Sequence, residues 1–230
     1  MTKPKIKIGV VSDVVCPWCY IGKRRLEKAM NNVSDKYDFE VEYFPFELNT
    51  QMPVSGVNQK EYLSGKFGGE ARYQQITAQT TATAATEGLK FNFQAQQVSP
   101  NTRKAHRVIQ FAKTHGKQLQ VVEAFFKAYF SDGVDLSRDE NLVHVAVQAG
   151  LDKHAVEAFL SSDAGAVEID VMERELHQLG ITGVPFYIVD NKFGISGAQA
   201  SETFIQAFEE ISAPTASAGG EACDINDKNC

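Results

Sequence analysis

The stretch VVSDVVCPWCYIGKRRLEKAM, Val10 to Met30, places two cysteines between an apolar, β-branched run and a basic helical pattern. The apolar run, Lys5 to Val15, is typical of a buried strand. Pro17 suits the first turn of a helix, because the N–H that proline lacks would be unpaired there in any case. The pattern therefore predicts a strand-to-helix junction, with Cys16 at the start of the helix and Cys19 one turn later.

The rest of the sequence predicts a helical middle and a second β region. FEVEYFPF, at 39–46, alternates as a strand, so that the chain opens as β-α-β. PFYIVDNKFGISG predicts a hairpin of strands at 186–189 and 193–196, followed by a helix at 200–211. Between these regions the pattern is helical, with candidate helices at 71–89, 101–116, 120–133, 139–150, 152–162 and 164–179.

This order of elements predicts an α/β fold with a discontinuous sheet domain. Residues 1–52 and 181–212 would form that domain, and 53–180 would be a helical insertion. Residues 213–230 are small, polar and glycine-bearing, which is typical of a flexible tail. This tail carries a second pair of cysteines, Cys223 and Cys230.

Composition excludes several classes of protein. With 230 residues, 43% of them hydrophobic, the chain is long enough to bury a full core without disulfide staples. A net charge of -6 argues against sequence-independent binding of nucleic acid. No stretch approaches 18 consecutive apolar residues and no cleavable leader pattern precedes Cys16, so we expect no membrane association and a cytoplasmic location.

The cysteine pair is consistent with a metal site, a structural disulfide or redox chemistry. A structural zinc site needs four ligands, and no second C-x-x-C or histidine pair stands at a useful spacing, so we expect no metal. A C-x-x-C at a β-α-β junction favours redox chemistry over a static disulfide. A thiol attacks as its thiolate, which the N-terminal end of a helix favours at Cys16. The basic run Lys23, Arg24 and Arg25 is expected to add positive potential nearby.

Together with GITGVPFYIV downstream, this segment resembles the thioredoxin superfamily. CPWCYIGKRRLEKA, PFELN, PNTRKAHR, ITGVPFYIV and ISGAQ are similar to segments of its DsbA-like, FrnE-type branch, the dithiol–disulfide oxidoreductases of bacterial cytoplasm. The resemblance covers nearly all of residues 5–212. It implies a thioredoxin-like fold with a large helical insertion and a role linked to oxidative stress. It implies no cofactor other than the redox-active Cys16–Cys19 disulfide, with glutathione as a candidate reductant.

The resemblance also implies roles for individual residues. Cys16 would attack the substrate and Cys19 would resolve the mixed disulfide. Val184-Pro185 would be a cis peptide bond that places Pro185 beside the two sulfurs, and the Val184 backbone would pair with an extended substrate. Pro17 and Trp18, between the cysteines, are expected at the substrate-binding surface.

One position departs from the thioredoxin pattern. Thioredoxins carry a buried carboxylate about six positions before the attacking cysteine, where this chain has Val10. Asp13 is a weak substitute, and Glu47 or His106 is an alternative proton-transfer group. Glu47 is otherwise expected on a solvated strand end, and His106 on the basic outer face of a helix.

The sequence supports three functions. The first is a thiol–disulfide oxidoreductase or isomerase acting on protein or peptide disulfides, with a cellular thiol as reductant. The second is a glutathione-dependent transferase or isomerase of small molecules, and the third is a chaperone-like module. Cys223 and Cys230 would either exchange with the main pair or remain idle. The aromatic run VVEAFFKAYF, at 121–130, is expected to pack the insertion, and part of it could face Cys16.

Overall fold

In a computed structural model of the protein, which describes residues 3–212, the C-x-x-C motif lies at the junction of the first strand and the first helix. Strand β1 spans Lys5–Ser12, helix α1 spans Pro17–Asn32 and strand β2 spans Asp38–Pro45. β1 and β2 pair in parallel, as the crossover through α1 requires. The predicted β-α-β opening is therefore confirmed.

The hairpin near the C-terminal end completes the main sheet. Strands β5, Phe186–Val189, and β6, Phe193–Ser196, are antiparallel, and the sheet order is β2-β1-β5-β6. Asp190 and Asn191 take positive φ angles of 49° and 56°, the conformation that a tight hairpin turn needs. Helix α9, Ser201–Ser212, follows and packs on α1. The predicted α/β fold, with a β-α-β opening and a β-β-α ending around a helical middle, is confirmed.

The middle of the chain is helical, as predicted, but it contains two features that the pattern did not reveal. A two-residue ladder joins β3, Val57–Asn58, to β4, Val98–Ser99, and helix α2, Gln59–Phe67, follows β3. The other helices in this part of the chain are α3 Glu70–Thr86, α4 Arg103–Thr114, α5 Gln118–Phe130, α6 Asp139–Gln148, α7 Lys153–Leu160 and α8 Ala166–Gln178.

The main core lies where α5 packs against α1 and the sheet. Phe125, Phe126 and Phe130 of α5 are fully buried, and Tyr20 of α1 stacks on Phe126 with ring centroids 5.0 Å apart. The aromatic run is buried as predicted, but it packs on α1 as well as within the middle of the chain, where Phe130 stacks on Phe91. The proposed division at residues 52 and 181 stays a prediction, and the tail with Cys223 and Cys230 lies outside the described residues.

Candidate active site

Cys16 occupies the N-cap of α1, at the end of the sheet where β1 stops. Its backbone N–H donates to the carbonyl of Asp13 at 3.0 Å, and its own carbonyl accepts from the Cys19 N–H at 3.0 Å. The Cys16 thiol donates to the carbonyl of Val184, with 3.7 Å between Sγ and oxygen. Both cysteines are free thiols, and their exposed fractions are 5% for Cys16 and 2% for Cys19. Of the two cysteines, Cys16 lines the cavity described below and Cys19 does not.

Cys19 lies deeper than Cys16 and is held as a thiol. Burial raises the pKa of Cys19, and the hydrogen bond and charge of the neighbouring Cys16 raise it further. The Ser12 hydroxyl and the Asp13 backbone oppose this shift without cancelling it. The two sulfurs thus have different environments, which suits an attacking thiol and a resolving thiol that reacts second.

The residues predicted from the resemblance come together around Cys16. Val184-Pro185 is a cis peptide bond, and the Val184 carbonyl contacts the sulfur. Pro17 and Trp18 line the same cavity as Cys16, and Trp18 is 39% exposed, as expected for a residue beside the site.

The basic run of α1 does not supply the free positive potential that the sequence suggested. Lys23 is buried rather than solvated, and it pairs with Glu27 and with Glu123, the latter at 2.6 Å. Arg24 pairs with the same two carboxylates, and Arg25 pairs with Glu87. The three charges are neutralised locally, because Glu123 of α5, Glu87 just after α3 and Glu27 of α1 itself pair with them.

Asp13 and His106 form a buried pair, which corrects the expectation that His106 lies on an outer helix face. His106 is 2% exposed instead of lying on an outer helix face, and Asp13 is 1% exposed. His106 Nε2 lies 3.3 Å from Asp13 Oδ1, in a geometry outside that of a hydrogen bond. Burial by itself lowers the pKa of His106, but the carboxylates of Asp13, Glu47 and Glu173 together raise it above its ordinary value. Asp13 also accepts from the Leu48 N–H at 2.8 Å, which fixes its carboxylate.

Glu47 is buried as well, and does not sit on a solvated strand end. It pairs with Arg103 at 3.0 Å, and its N–H donates to Glu173. Burial raises the pKa of Glu47, the Glu173 carboxylate adds to this, and Arg103 and His106 oppose it. The sequence did not reveal this cluster, because its members come from the segment after β2, from α4 and from α8.

A buried tyrosine lies next to Val10, at the position where the thioredoxin carboxylate is missing. Val10 pairs across the sheet with Tyr43 on one side and with Tyr187 on the other. The Tyr187 hydroxyl is buried and has no hydrogen-bond partner among residues 3–212. Burial raises the pKa of Tyr187, and the two nearby cysteines raise it further. The sequence does not show which residues face each other across paired strands, so it could not place Tyr187 beside Val10.

A cavity of about 300 Å³ opens beside Cys16. Its walls come from the start of α1, from the segment after β2, from α2 and α3, and from the end of α5. Tyr129 and Phe130 of α5 line it, which confirms that part of the aromatic run faces Cys16. The sequence predicted no cavity, because its walls are far apart along the chain.

Metal binding and membrane spanning find no support in the described part of the chain. Within residues 3–212, no cluster of three or more histidine, cysteine or acidic side chains could hold a metal ion. No helix in that range is both long and apolar enough to cross a bilayer.

Known proteins share this architecture over most of the chain. The family model of the DSBA-like thioredoxin domain matches residues 7–209. A "probable DsbA oxidoreductase" of Streptomyces coelicolor is 34% identical, covers 96% of this chain and 97% of its own, and superposes with a TM-score of 0.84. The uncharacterized protein YwbO of Bacillus subtilis (strain 168) is 28% identical over 209 residues, which cover 89% of this chain and 96% of YwbO.

A more distant structure shows the same fold. The cytosolic disulfide reductase DsbM from Pseudomonas aeruginosa, solved with GSH, is 15% identical and has a TM-score of 0.62. The match covers 89% of this chain and 98% of DsbM.

Proposed function

Because the chain belongs to the family of DSBA-like thioredoxin domains, we propose that it is a thiol–disulfide oxidoreductase or isomerase of protein and peptide disulfides. The observation that carries this proposal is the asymmetric pair at the start of α1. Cys16 lines the cavity and contacts the Val184 carbonyl. Cys19 does not line the cavity, and its burial raises its pKa. One thiol is placed to capture a substrate, and the other is withheld until capture has occurred.

The proposed reaction has two exchange steps. Cys16 attacks one sulfur of the substrate disulfide, forms a mixed disulfide and releases the other substrate sulfur as a thiolate. Cys19 then loses its proton and attacks Cys16, which releases the second substrate thiol and leaves a Cys16–Cys19 disulfide. A cellular thiol, with glutathione as the candidate, returns the pair to the dithiol. In the isomerase mode the released thiolate attacks a different disulfide of the substrate, and the thiolate freed there displaces Cys16 from the mixed disulfide, with no net oxidation.

We propose supporting roles for the surrounding residues. The Val184 backbone beside the sulfur offers an edge on which an extended substrate segment can pair. Pro17 and the exposed ring of Trp18 offer apolar contact at the cavity mouth. Pro185 follows Val184, whose carbonyl lies 3.7 Å from the Cys16 sulfur, and we propose that it helps to shape this side of the site.

Trapping the mixed disulfide tests this proposal. A Cys19→Ser variant incubated with a disulfide-bonded peptide should accumulate a covalent adduct at Cys16, because nothing resolves it. Cys16→Ser should form no adduct and should lose reduction of insulin by dithiothreitol above the uncatalysed rate. An adduct at Cys19 instead, or full insulin reduction by Cys16→Ser, would overturn the proposal.

A glutathione-dependent transferase or isomerase of small molecules is the second candidate. The apolar cavity beside Cys16 favours it, since such a space suits a small apolar ligand. If the protein conjugates glutathione to a small molecule and reduces no disulfide, this second function replaces the first.

Three further points remain proposals: the FrnE-type branch, a cytoplasmic location and exchange with the tail cysteines. The basic run of α1 offers little free positive charge to attract acidic residues of the tail, since Lys23, Arg24 and Arg25 are already paired. Mixed disulfides trapped in Cys19→Ser will decide the role of the tail. If none includes Cys223 or Cys230, the exchange hypothesis is wrong.

A further inference from the structure

Helix α2 brings a lysine to the cavity beside Cys16. Four residues of α2 line the cavity, and their spacing places them on one face of the helix: Tyr62, Leu63, Lys66 and Phe67. Lys66 stands one turn after Tyr62 and Leu63, in the middle of this otherwise apolar and aromatic face. It is exposed, as expected for a lysine whose carbon stem covers apolar surface while its amine stays in water. This position therefore places a positive charge at the mouth of the cavity.

The Lys66 amine has no ion-pair partner in the described part of the chain. Its nitrogen lies 5.9 Å from the centre of the Tyr62 ring. Tyr62 is held in place by Asn49, whose Nδ2 donates to the tyrosine hydroxyl at 3.1 Å while its Oδ1 accepts from a backbone N–H. Lys60, which lies outside the cavity-lining face of α2, pairs with Glu70, but no carboxylate of residues 3–212 pairs with Lys66. The charge of Lys66 is therefore free to meet a ligand.

The rest of the cavity offers apolar walls and the attacking sulfur. Much more of its surface is apolar than polar, with contributions from Met52, Ile76, Phe93 and Phe130. Cys16 forms part of the wall, and Asp13 is the only acidic residue among the described residues that line it. Asp13 is 1% exposed and already accepts from the Leu48 N–H, so its charge is not available to a ligand. A ligand in this cavity therefore meets one thiol, apolar surface and one available positive charge.

These features select a ligand with three parts. Its sulfur must reach Cys16, its body must be apolar, and a monoanion such as a carboxylate matches the single lysine at the mouth. The chain as a whole has a net charge of -6, so an anion is attracted by Lys66 locally and not by the overall field of the protein. The volume of about 300 Å³ is at the lower end of the range for pockets that enclose small organic ligands.

We propose that this cavity is a subsite for small disulfides whose sulfur carries an apolar body ending in a carboxylate, with Lys66 pairing with that carboxylate. This substrate class goes beyond the protein and peptide disulfides proposed above, although it rests on the same thiol chemistry. Cys16 forms a bond to the sulfur of the bound half and expels the other half as a thiolate. Cys19 then loses its proton and displaces the bound half, so that the dithiol is oxidised and the substrate disulfide is reduced by two electrons. A cellular thiol restores the dithiol.

A binding experiment without redox chemistry tests the subsite. The probes are para-(methylthiomethyl)benzoate and para-(methylthiomethyl)benzamide, thioethers of the same shape that differ in charge. Trp18, the only tryptophan of the chain, lines the cavity, so its fluorescence reports binding to the reduced protein. The benzoate should bind about threefold more tightly, the effect of one partly exposed ion pair, and added salt should reduce this ratio. Equal affinity of the two probes would overturn the subsite.

Matched variants assign the preference to Lys66. Lys66→Gln should reduce the affinity ratio to about one, and Lys66→Arg should keep a preference for the benzoate because it keeps the charge. Lys60→Gln removes the same charge from the same helix but outside the cavity-lining face, so it should keep the ratio. Loss of the preference in Lys60→Gln as well would show that the general charge of α2 causes it, which overturns the assignment to Lys66.

A turnover experiment separates this proposal from the proposed function. The substrates are the symmetric disulfides of para-(mercaptomethyl)benzoate and para-(mercaptomethyl)benzamide, with dithiothreitol as reductant and the uncatalysed rate subtracted. Lys66→Gln should lower kcat/KM for the benzoate disulfide about threefold more than for the benzamide one. Ile76→Trp, which fills the cavity from a half-buried wall position, should lower kcat/KM for both relative to hydroxyethyl disulfide.

The possible outcomes are distinguishable. Insulin reduction without discrimination between the benzoate and the benzamide overturns the subsite and leaves the protein-disulfide function standing. Discrimination between the thioethers with no turnover of any disulfide overturns the proposed function and the substrate class with it. A carboxylate preference shown only by peptides with glutamate in place of glutamine beside cysteine would reassign Lys66 to peptide substrates and overturn the subsite for small disulfides.

Discussion

Replacing Gly22 by alanine is a sharp test of how α1 is seated above the sheet. Gly22 lies in α1, one turn after Cys19, and an added Cβ would stand 2.2 Å from the Tyr187 hydroxyl oxygen. The next nearest atoms, the Ala198 Cβ and the Pro185 Cγ, are 3.4 Å away. The hydroxyl is therefore the single atom that forbids a side chain at this position.

The expected free-energy change follows from two opposing effects. Alanine is about 1 kcal/mol more favourable than glycine inside a helix. Overpacking a filled core costs roughly 1–3 kcal/mol. We take the upper part of that range because Tyr187 is fully buried and packs edge-on against Phe204 with ring centroids 4.7 Å apart. Gly22→Ala should therefore lower the free energy of unfolding by about 1–2 kcal/mol.

Removing the hydroxyl should reverse the sign. In a Tyr187→Phe background the remaining contacts of an alanine at position 22 are no closer than 3.4 Å, which a core accommodates with small shifts. There Gly22→Ala should raise the free energy of unfolding by up to about 1 kcal/mol. Tyr187→Phe alone should cost little, since the hydroxyl it removes is buried without a partner among residues 3–212.

Urea unfolding of the reduced protein measures these values in a double-mutant cycle. Gly65→Ala is the matched control, because Gly65 lies in helix α2 with no atom within 4 Å of its added Cβ. It should stabilise the protein in either background. If Gly22→Ala has the same effect with and without the Tyr187 hydroxyl, the described contact does not determine the position of α1.

Three further predictions concern charge and protonation. His106 has a raised pKa, so its contribution to stability is complete below its unfolded value of 6.5 and is lost as pH rises through the folded pKa. When Tm is measured against pH, His106→Gln should therefore show a smaller fall in Tm above pH 6.5 than the wild type does. The exposed control His154→Gln should fall as the wild type does. Burial raises the pKa of Glu123, but hydrogen bonds from Arg24 and Lys23 outweigh it and lower that pKa to about 2. The wild type therefore loses stability as pH falls from 4.5 towards 2, and Glu123→Gln should lose less over the same range. Because burial is the largest cause of the raised pKa of Cys19, thiolate absorbance of Cys16→Ser should show Cys19 titrating above an ordinary cysteine, and an ordinary titration would contradict this.

Much of the fold was predictable because hydrophobic periodicity and glycine or proline signals are local. The strand, proline and helix around Cys16, and the hairpin with its Asp190-Asn191 turn, follow from short stretches of sequence. The roles of Cys16 and Pro185 came from the resemblance instead. Their positions, with Cys16 at the helix start and a cis bond before Pro185, agree with it.

What the sequence could not reveal was created by long-range packing. His106 looked solvated because Arg103, Lys104 and Arg107 surround it in the helix, yet it is buried against Asp13 of a distant segment. Lys23 is buried because Glu123 approaches from another helix. Gln96 is buried and bonds to Gln59, 37 residues away, a contact that no local pattern encodes.

Differential alkylation of the reduced protein tests the central claim most directly, namely that Cys16 is the attacking sulfur and Cys19 the one held back. Iodoacetamide at mildly acidic pH, followed by mass spectrometry with fragmentation between the two residues, gives a separate rate for each. In the reduced protein we expect iodoacetamide to label Cys16 much faster than Cys19. After mild oxidation we expect neither cysteine to be labelled, because the two form a disulfide. Equal rates, earlier labelling of Cys19, or full labelling of the oxidised protein would contradict the account.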